Sequence, residues 1–319
     1  MISHSTRYLF PNTPKLDNLS DISIRTHLST GLLYKLSKRS EYYYRVYKLK
    51  KRSKGEREIA EPSRAMKAVQ SWILVNILDQ IPLPKQATGF RKDSNILKNA
   101  EPHQVNEYIL CIDIEDFFPS ITYSNIYTIF YKLGYSKHVC HILTSFCTFK
   151  NRLPQGGVTS PALSNLSCIR LDHRISGYCG TRNVQYTRYA DDITLSSMSS
   201  QRLTKAYRMV EYIIEDEGFT LNHAKTRYMG PKRRRKVTGL VIGDNGAGIG
   251  RQEERKLQTE IFYLFKVQGS MDIEEAIIKL QGKLAFLYSV DNIRYRRIIK
   301  YINKLSGIFQ TDSMERKLN

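Results

Sequence analysis

The chain of 319 residues has few cysteines and lacks any long apolar segment. Its five cysteines are scattered without a Cys-x-x-Cys pair, which is typical of a reduced cytosolic protein. A membrane-spanning helix needs roughly 18 continuous apolar residues, and no segment approaches that length. The first residues also lack the apolar core of a signal peptide. We therefore expect a protein of the cytoplasm that neither enters a membrane nor is exported.

Internal repeats, low-complexity tracts and Pro/Ser-rich linkers are absent as well, whereas positive charge is abundant. Lys and Arg number 50 and Asp and Glu number 30, which gives a formal net charge of +20. A field of that sign concentrates polyanions at the surface. Nucleic acid is the usual partner, and an anionic membrane surface is the alternative. The length exceeds what one compact core usually holds, so a body of several lobes is expected.

Aromatic and β-branched residues in the first quarter of the chain predict a β-hairpin. Residues 42–51 are typical of a strand, residues 52–55 of a turn, and residues 56–60 of a return strand. Ser63 is positioned to cap an apolar helix that would run to about Ile81. A two-stranded ribbon followed by a helix is therefore expected here.

The middle third of the chain predicts a small α+β unit with acidic residues at the ends of its strands. Residues 108–114 form a nearly all-apolar run, as expected of a strand buried on both faces, and Asp113 interrupts it near its end. Residues 184–195 predict two strands around a tight turn that contains Asp191 and Asp192. If the strand and the hairpin are neighbours in one sheet, the three carboxylates meet.

The segment between that strand and the hairpin is predicted to be helical. Residues 122–149 form a first aromatic-rich helical segment. The loop Gln155-Gly156-Gly157 leads into a second helix, with Ser160 as N-cap and Pro161 at the first helical position, that runs to about Ile175. Glycines let the backbone approach a template base or nucleotide closely, and Gln155 can form a hydrogen bond there. An ordinary junction between loop and helix is the alternative.

Asp113, Asp191 and Asp192 have the chemistry of a two-metal site for nucleotidyl transfer. Such a site needs two cations about 3.5–4 Å apart, and magnesium prefers oxygen ligands, commonly carboxylates together with substrate phosphates. Adjacent aspartates at a turn are often only solvated turn residues. A carboxylate in an apolar strand must be paired, protonated or metal-bound, because burying a lone charge is costly. Two Mg²⁺ ions shared by the three aspartates would account for both features.

Three segments together resemble successive motifs of reverse transcriptases, in order and in spacing. They are Asp113-Ile-Glu-Asp-Phe-Phe118, Gln155-Gly-Gly-Val-Thr-Ser-Pro161 and Tyr189-Ala-Asp-Asp192. The resemblance implies an α+β fold shaped as a right-hand polymerase with fingers, palm and thumb, whose palm is a ferredoxin-like sheet with helices on one face. It implies N-terminal helices and fingers at residues 1–105, a palm at 106–230 with 122–152 contributing to the fingers, and a thumb with an RNA-binding C-terminal region at 231–319.

The same resemblance implies residues that bind the incoming nucleotide. Phe118 matches an aromatic steric gate that disfavours a ribose 2′-hydroxyl, and Arg57 resembles a fingers arginine that grips the triphosphate. Lys225 resembles a palm lysine near the triphosphate. Arg91, in a Gly-Phe-Arg segment, and Gln155 complete the set. For the positively charged side chains of Arg57, Arg91 and Lys225, a solvated surface position without a ligand is the alternative.

Two further segments resemble signatures of retron reverse transcriptases. Asn99-Ala-Glu-Pro-His103 matches an Asn-Ala-x-x-His pattern, and Val237-Thr238-Gly239 matches a Val-Thr-Gly pattern. Retron enzymes copy a structured noncoding RNA into branched single-stranded DNA (msDNA), primed from a guanosine 2′-hydroxyl. The complex, with an effector protein, defends bacteria against phage. The resemblance thus implies four partners in the bacterial cytoplasm: the cognate RNA, its msDNA, deoxynucleotides and an effector or toxin protein.

RNA contact is expected at these signatures and at the basic run beside the second of them. Folded RNA is recognised through its shape, its phosphates and its splayed bases. The residues expected to bind RNA are Asn99, His103, Arg233, Arg234, Arg235, Val237, Thr238 and Gly239.

Two other functions are compatible with part of these features. A group II intron-like or diversity-generating reverse transcriptase is the nearest. Only 319 − 239 = 80 residues follow Gly239, which is short for an added endonuclease or RNase H segment. An RNA-binding scaffold that restrains an effector without DNA synthesis is the other, and the intact acidic triad argues against that as the sole role.

Overall fold

The computed structural model describes residues 12–50, 55–243, 246–266 and 273–309. The strands in these ranges are β1 (Tyr44–Lys50), β2 (Glu56–Pro62), β3 (Tyr108–Asp113), β4 (Gln185–Tyr189), β5 (Asp192–Ser197), β6 (Arg227–Met229), β7 (Lys236–Val237), β8 (Leu240–Gly243) and β9 (Gly246–Gly248). The helices are α1 (Leu19–Thr26), α2 (Thr30–Lys38), α3 (Arg64–Asn76), α4 (Ile96–Ala100), α5 (Phe117–Ser120), α6 (Tyr123–Lys132), α7 (Lys137–Cys147), α8 (Ser160–Ser167), α9 (Ile169–Gly180), α10 (Ser200–Asp216), α11 (Gly250–Lys266), α12 (Ile273–Val290) and α13 (Asn292–Phe309).

The predicted hairpin near the start of the chain is confirmed. β1 and β2 pair antiparallel from Tyr44 opposite Pro62 to Lys50 opposite Glu56. Of the predicted turn, residues 52–54 lie outside the described residues. Ser63 caps α3 as expected, but the helix ends at Asn76 rather than near Ile81. Ile81 precedes a proline and is extended, a conformation that proline imposes on the residue before it.

The two helical segments of the middle third are each divided in two. Residues 122–149 form α6 and α7, separated at Gly134, whose φ of +97° is open to glycine but costly for other residues. The next segment breaks at Cys168 into α8 and α9. Thr159 is the N-cap of α8, so the prediction of Ser160 was wrong by one residue. The helix begins one residue earlier than predicted: Ser160 is its first helical residue, and Pro161 follows in the first turn.

The central sheet has the strand order β4-β5-β3-β6, and every neighbouring pair is antiparallel. β3 is therefore paired on both edges, and its interior residues are buried, which explains its apolar sequence. α9 packs on β4, and α10 packs on α9, β3 and β5, so the two helices share one face. The predicted α+β class, with helices against an antiparallel palm-like sheet, is confirmed.

A second, smaller sheet and a helical bundle complete the described C-terminal part. The sheet β7-β8-β9 packs through Val237, Leu240 and Ile242 against Ile109 and Cys111 of β3. The bundle of α11, α12 and α13 has a hydrophobic core of its own. A third and larger core joins the N-terminal helices to the central sheet. Several cores, rather than one, thus stabilise the chain.

All five cysteines are free and buried. Across the described ranges, no helix is both long enough and apolar enough to cross a membrane.

Candidate active site

Asp113 and Asp192 are directly opposed residues of the neighbouring antiparallel strands β3 and β5. Opposed residues of such a pair project to the same face of the sheet, about 5 Å apart at Cβ. Asp191 lies in the turn just before β5, and its carbonyl oxygen accepts a hydrogen bond from the Ile114 amide at 3.1 Å. The sheet therefore brings Asp113 near Asp191 and Asp192, although Asp113 and Asp191 are 191 − 113 = 78 residues apart in sequence.

The turn between β4 and β5 is held in a strained conformation. Tyr189 pairs with Asp192, so Ala190 and Asp191 form a two-residue loop, and Ala190 has a φ of +58°. This left-handed region is uncommon for a residue with a Cβ atom. Gly89 lies so close that a Cβ added to it would be 2.6 Å from the Ala190 nitrogen. The surrounding structure thus fixes the turn, as expected where strain persists at a functional site.

A buried ion pair supports this turn from behind. Arg188 donates to both oxygens of Asp172, with Nε–Oδ1 and Nη2–Oδ2 distances of 2.8 and 2.7 Å, and both side chains are fully buried. The Arg188 guanidinium also donates to the Ala190 carbonyl at 3.1 Å and to Asn165 Oδ1 at 3.1 Å. Asn165 in turn donates to the Gly89 carbonyl at 2.8 Å. A charge that is buried and bonded in this way makes a rigid platform for the acidic turn.

The three carboxylates accumulate negative charge in a partly buried position. Burial, with Asp191 and Asp113 nearby, raises the pKa of Asp192 to about 6. Burial and the Asp113 carboxylate also raise the pKa of Asp191 above its ordinary value. Lys225 Nζ donates to both oxygens of Asp113, at 2.8 and 3.1 Å, and this contact raises the pKa of Lys225. The carboxylates thus form a site that attracts cations.

The donor set is suited to a hard divalent cation, because carboxylates supply only the oxygen ligands that such ions prefer. In the described part of the chain, no group of three His, Cys, Asp or Glu side chains is already gathered closely enough to hold a metal ion. Lys225 is bonded to Asp113 in this arrangement. Lys225 thus uses part of the acceptor capacity of the Asp113 oxygens, which keep further lone pairs for a cation. The residues fit such an ion in chemistry and in charge.

Besides Lys225, two other residues predicted to bind the nucleotide lie at this site. Arg57 is exposed on β2, and its positive charge acts on the pKa of Asp191. Phe118 is half-buried, with its ring centroid 6.0 Å from that of Phe90. The Phe90 ring is 6.4 Å from that of Tyr189. Phe90 thus connects Phe118 to the acidic turn, a role that the sequence did not reveal.

Arg91 and Gln155 make other contacts. The exposed Arg91 donates to the Pro84 carbonyl at 3.3 Å. The backbone carbonyl of Gln155 accepts a hydrogen bond from the Ala60 amide of β2 at 2.8 Å. A Cβ on the next residue, Gly156, would be 2.9 Å from the Ala60 oxygen. The glycine is needed for this close approach between the loop and the β1–β2 hairpin.

The residues predicted to bind RNA fall into two groups. Asn99, His103 and Val237 are buried, and the two polar side chains are hydrogen-bonded within the protein. Thr238 is partly buried. Gly239 and the arginines Arg233 and Arg234 are exposed, while Arg235 donates to the Asn106 carbonyl at 2.6 Å. Of the predicted residues, only those of the run Arg233–Arg235 and of the turn Thr238-Gly239 present side chains or backbone at the surface.

Comparison with known proteins agrees with this site. The family model for reverse transcriptase (RNA-dependent DNA polymerase) matches residues 49–242. The retron Ec86 reverse transcriptase of Escherichia coli is 43% identical over 294 residues, covering 92% of this chain and 90% of that protein. The retron Mx65 reverse transcriptase of Myxococcus xanthus is 30% identical over 302 residues, covering 88% and 70%.

The chain belongs to the retron reverse transcriptase family. This reverse transcriptase is an RNA-directed DNA polymerase, so template RNA and deoxynucleotides are its substrates. Reverse transcriptases use divalent metal ions, in agreement with the carboxylates at the end of β3 and in the β4–β5 turn.

Several residues that support the site in this reverse transcriptase were missed by sequence reasoning. Asp172 lies on the buried side of α9 with Leu171, Ile175 and Cys179. An acidic residue among the apolar positions of an amphipathic helix indicates a buried partner, and that pattern could have identified it. Its partner Arg188 is in a short strand and offers no comparable signal.

Proposed function

We propose that this enzyme copies a structured noncoding RNA into single-stranded DNA that stays joined to the RNA by a 2′,5′ bond. Priming would use the 2′-hydroxyl of an internal guanosine. The similarity to a retron reverse transcriptase over 92% of the chain carries the proposal. The RNA, its msDNA and an effector protein would act together against phage. Five free, buried cysteines are in keeping with work in the bacterial cytoplasm.

Asp113, Asp191 and Asp192 are the proposed ligands of two Mg²⁺ ions. Bound magnesium would activate the attacking hydroxyl and stabilise the pyrophosphate leaving group. The chain itself would contribute positioning, because the pairing of Asp113 with Asp192 and the constrained Ala190 fix the backbone from which the carboxylates project. Their oxygen donors and accumulated negative charge support the assignment.

The nucleotide would be held by residues around these carboxylates. Arg57 and Lys225 carry positive charge next to the acidic cluster, as binding of a triphosphate requires. Arg91 and Gln155 are proposed to join them from the fingers side. Phe118 is the proposed steric gate against ribonucleotides, with Phe90 packed behind it.

RNA recognition is proposed for the thumb side of the molecule. The exposed Arg233 and Arg234 precede the small sheet β7-β8-β9, where their charges are available to phosphates. The proposed division has N-terminal helices and fingers at 1–105, the palm at 106–230, with 122–152 contributing to the fingers, and the thumb with an RNA-binding C-terminal region at 231–319. The separate core of the α11–α13 bundle supports it.

A double substitution tests the catalytic assignment. Asp191→Asn with Asp192→Asn removes two charged ligands and preserves size, so deoxynucleotide incorporation should fall below detection while RNA affinity is retained. Asp17→Asn is the control and should leave synthesis unchanged, because Asp17 is an exposed acid before α1, outside the sheet and the three motifs. Undiminished synthesis by the double variant would exclude the proposed site.

A product analysis tests the retron assignment. The enzyme is co-expressed with the noncoding RNA encoded beside its gene, and the small DNA is isolated. After RNase digestion the DNA should keep a branched ribonucleotide at its 5′ end, which a debranching enzyme removes. DNA with a free 5′ end would show another mode of priming and would contradict the proposal.

A further inference from the structure

The two segments expected to bind RNA contact each other inside the protein. Asn99 and Thr238 are 139 residues apart in sequence, yet Asn99 Nδ2 donates to Thr238 Oγ1 at 3.3 Å. Ala100 and Val237 belong to one hydrophobic cluster. The first segment therefore docks on the turn of the small sheet formed by the second.

The turn formed by Thr238 and Gly239 is built for this contact. Val237 pairs with Leu240, which leaves a two-residue turn with φ values of +45° and +89°. Positive φ at both positions is typical of a type I′ hairpin turn, where Asn and Gly are preferred and a β-branched threonine is strained. The Thr238 hydroxyl contacts Asn99 and lies 3.5 Å from the Ile96 carbonyl. These bonds offset part of the strain of a threonine at this position.

The same asparagine is connected through Thr88 to the catalytic hairpin, which consists of β4, β5 and the acidic turn between them. The Thr88 hydroxyl is 2.8 Å from Asn99 Oδ1 and 3.1 Å from the Arg188 carbonyl, and its single proton can serve either acceptor. The Thr88 amide also donates to the Arg188 carbonyl at 2.8 Å. Arg188 lies on β4, and its guanidinium holds the Ala190 carbonyl of the acidic turn. A continuous set of polar contacts thus joins the small sheet to the turn that carries Asp191.

His103 adds a second connection to the same hairpin. Its Nδ1 is 2.7 Å from Ser196 Oγ and its Nε2 is 2.8 Å from Thr187 Oγ1. These two hydroxyls belong to β5 and β4, the two arms of the catalytic hairpin. Asp192 and Ser196 are four residues apart in β5, so they project to the same face of the hairpin. The fully buried His103 therefore joins the two arms on the face that carries Asp192.

We propose that Thr88, Asn99 and Thr238 are positioning residues that dock the small sheet on the catalytic hairpin and so help to set the rate of DNA synthesis. The proposal rests on the catalytic role assigned above to the acidic turn. It gives the buried residues of both signatures a function inside the protein, while contact with RNA is left to the exposed arginines.

Isosteric substitutions test this proposal. Thr88→Val and Thr238→Val remove a hydroxyl and keep the side-chain volume, while Thr88→Ser keeps the hydroxyl. Deoxynucleotide incorporation is measured on one RNA template with a DNA primer, so that recognition of a cognate RNA does not enter. Each valine variant should lower kcat by about 2- to 10-fold, the worth of one hydrogen bond, with little change in KM. Thr88→Ser should recover most of the loss.

A double-mutant cycle then tests whether the two hydroxyls act together. If they do, Thr88→Val with Thr238→Val lowers kcat little more than the stronger single variant. Thr204→Val, at an exposed threonine of α10, is the matched control and should leave kcat unchanged. Thermal unfolding of every variant shows whether each remains folded at the assay temperature.

Three results would overturn the proposal. The first is an unchanged kcat in both valine variants. The second is single-variant losses that multiply in the double variant, because the two hydroxyls would then be independent. The third is weaker binding of the retron RNA by Thr238→Val without any change in kcat on the fixed primer-template. Failure of the catalytic assignment would be seen separately, as synthesis that persists in the variant with both Asp191 and Asp192 replaced.

Discussion

Arg188 and Asp172 form a fully buried, two-point ion pair directly behind the acidic turn. Asp172→Ala leaves the guanidinium without its counter-ion in the interior, and removal of one partner of a buried pair costs about 3–5 kcal/mol. We expect the free energy of unfolding, measured by urea denaturation, to fall by that amount. Glu275→Ala, at an exposed pair with Lys279, is the control and should cost less than about 1 kcal/mol.

Replacing both partners separates stability from catalysis. Arg188→Met with Asp172→Leu removes both buried charges, so much of the stability lost in Asp172→Ala should return. Arg188→Met also removes the bond to the Ala190 carbonyl, so DNA synthesis should be impaired even though stability has returned. Full recovery of synthesis in the double variant would argue against a role for Arg188 in holding the turn.

The close approach of Gly89 to Ala190 predicts a large effect from a single methyl group. In Gly89→Ala the new Cβ would be 2.6 Å from a backbone nitrogen, so the turn that carries Asp191 must shift. Displacements of this size at a reacting site can lower kcat by about 10- to 100-fold. Gly177→Ala in α9 meets open space and serves as the control, with kcat unchanged and stability slightly higher. Wild-type kcat in Gly89→Ala would contradict this prediction.

Phe118 is expected to select the sugar of the incoming nucleotide. Phe118→Val shortens the side chain, so the ratio of ribonucleotide to deoxynucleotide incorporation, measured as kcat/KM, should rise by about tenfold or more. Phe118→Tyr keeps the ring against Phe90 and should preserve discrimination. An unchanged ratio in the valine variant would mean that Phe118 is only a packing residue.

His103 should make stability depend on pH. Burial lowers the pKa of His103 to about 3, below its ordinary value of 6.5, so the folded state keeps the ring neutral. The unfolded state takes up the proton first, and stability is therefore lost as the pH falls from 6.5 towards 3. Between pH 7 and pH 5, protonation of His103 in the unfolded state lowers the free energy of unfolding by about 2 kcal/mol. Urea denaturation of wild type and His103→Gln at both pH values should show a smaller decrease in the variant, and equal decreases would contradict the prediction.

The acidic site could be predicted from sequence because its signals are local. A short apolar run ending in Asp113, and two strands around Asp191 and Asp192, indicate where the carboxylates end up once a sheet forms. The glycine-rich loop before α8 was found in the same way. Helix boundaries were less accurate, because Cys168 and Gly134 interrupt patterns that look continuous.

The supporting network could not be predicted, because each of its members needs a partner distant in the chain. Asn99 and His103 are polar residues that usually lie at the surface, and only the fold provides Thr88, Thr187 and Ser196 to satisfy them when buried. The expectation that such residues bind RNA followed from the resemblance of their segment to a retron signature.

The double pairing of β3 limits how this enzyme tolerates changes in length. Because β3 is hydrogen-bonded to β5 on one edge and β6 on the other, the addition or loss of one residue within Tyr108–Asp113 cannot be absorbed at a free edge. Side chains alternate between faces, so a shift of one position would turn the carboxylate of Asp113 towards the opposite side of the sheet. Insertions and tags should therefore be accepted in surface loops, while single-codon indels in this strand should inactivate the polymerase.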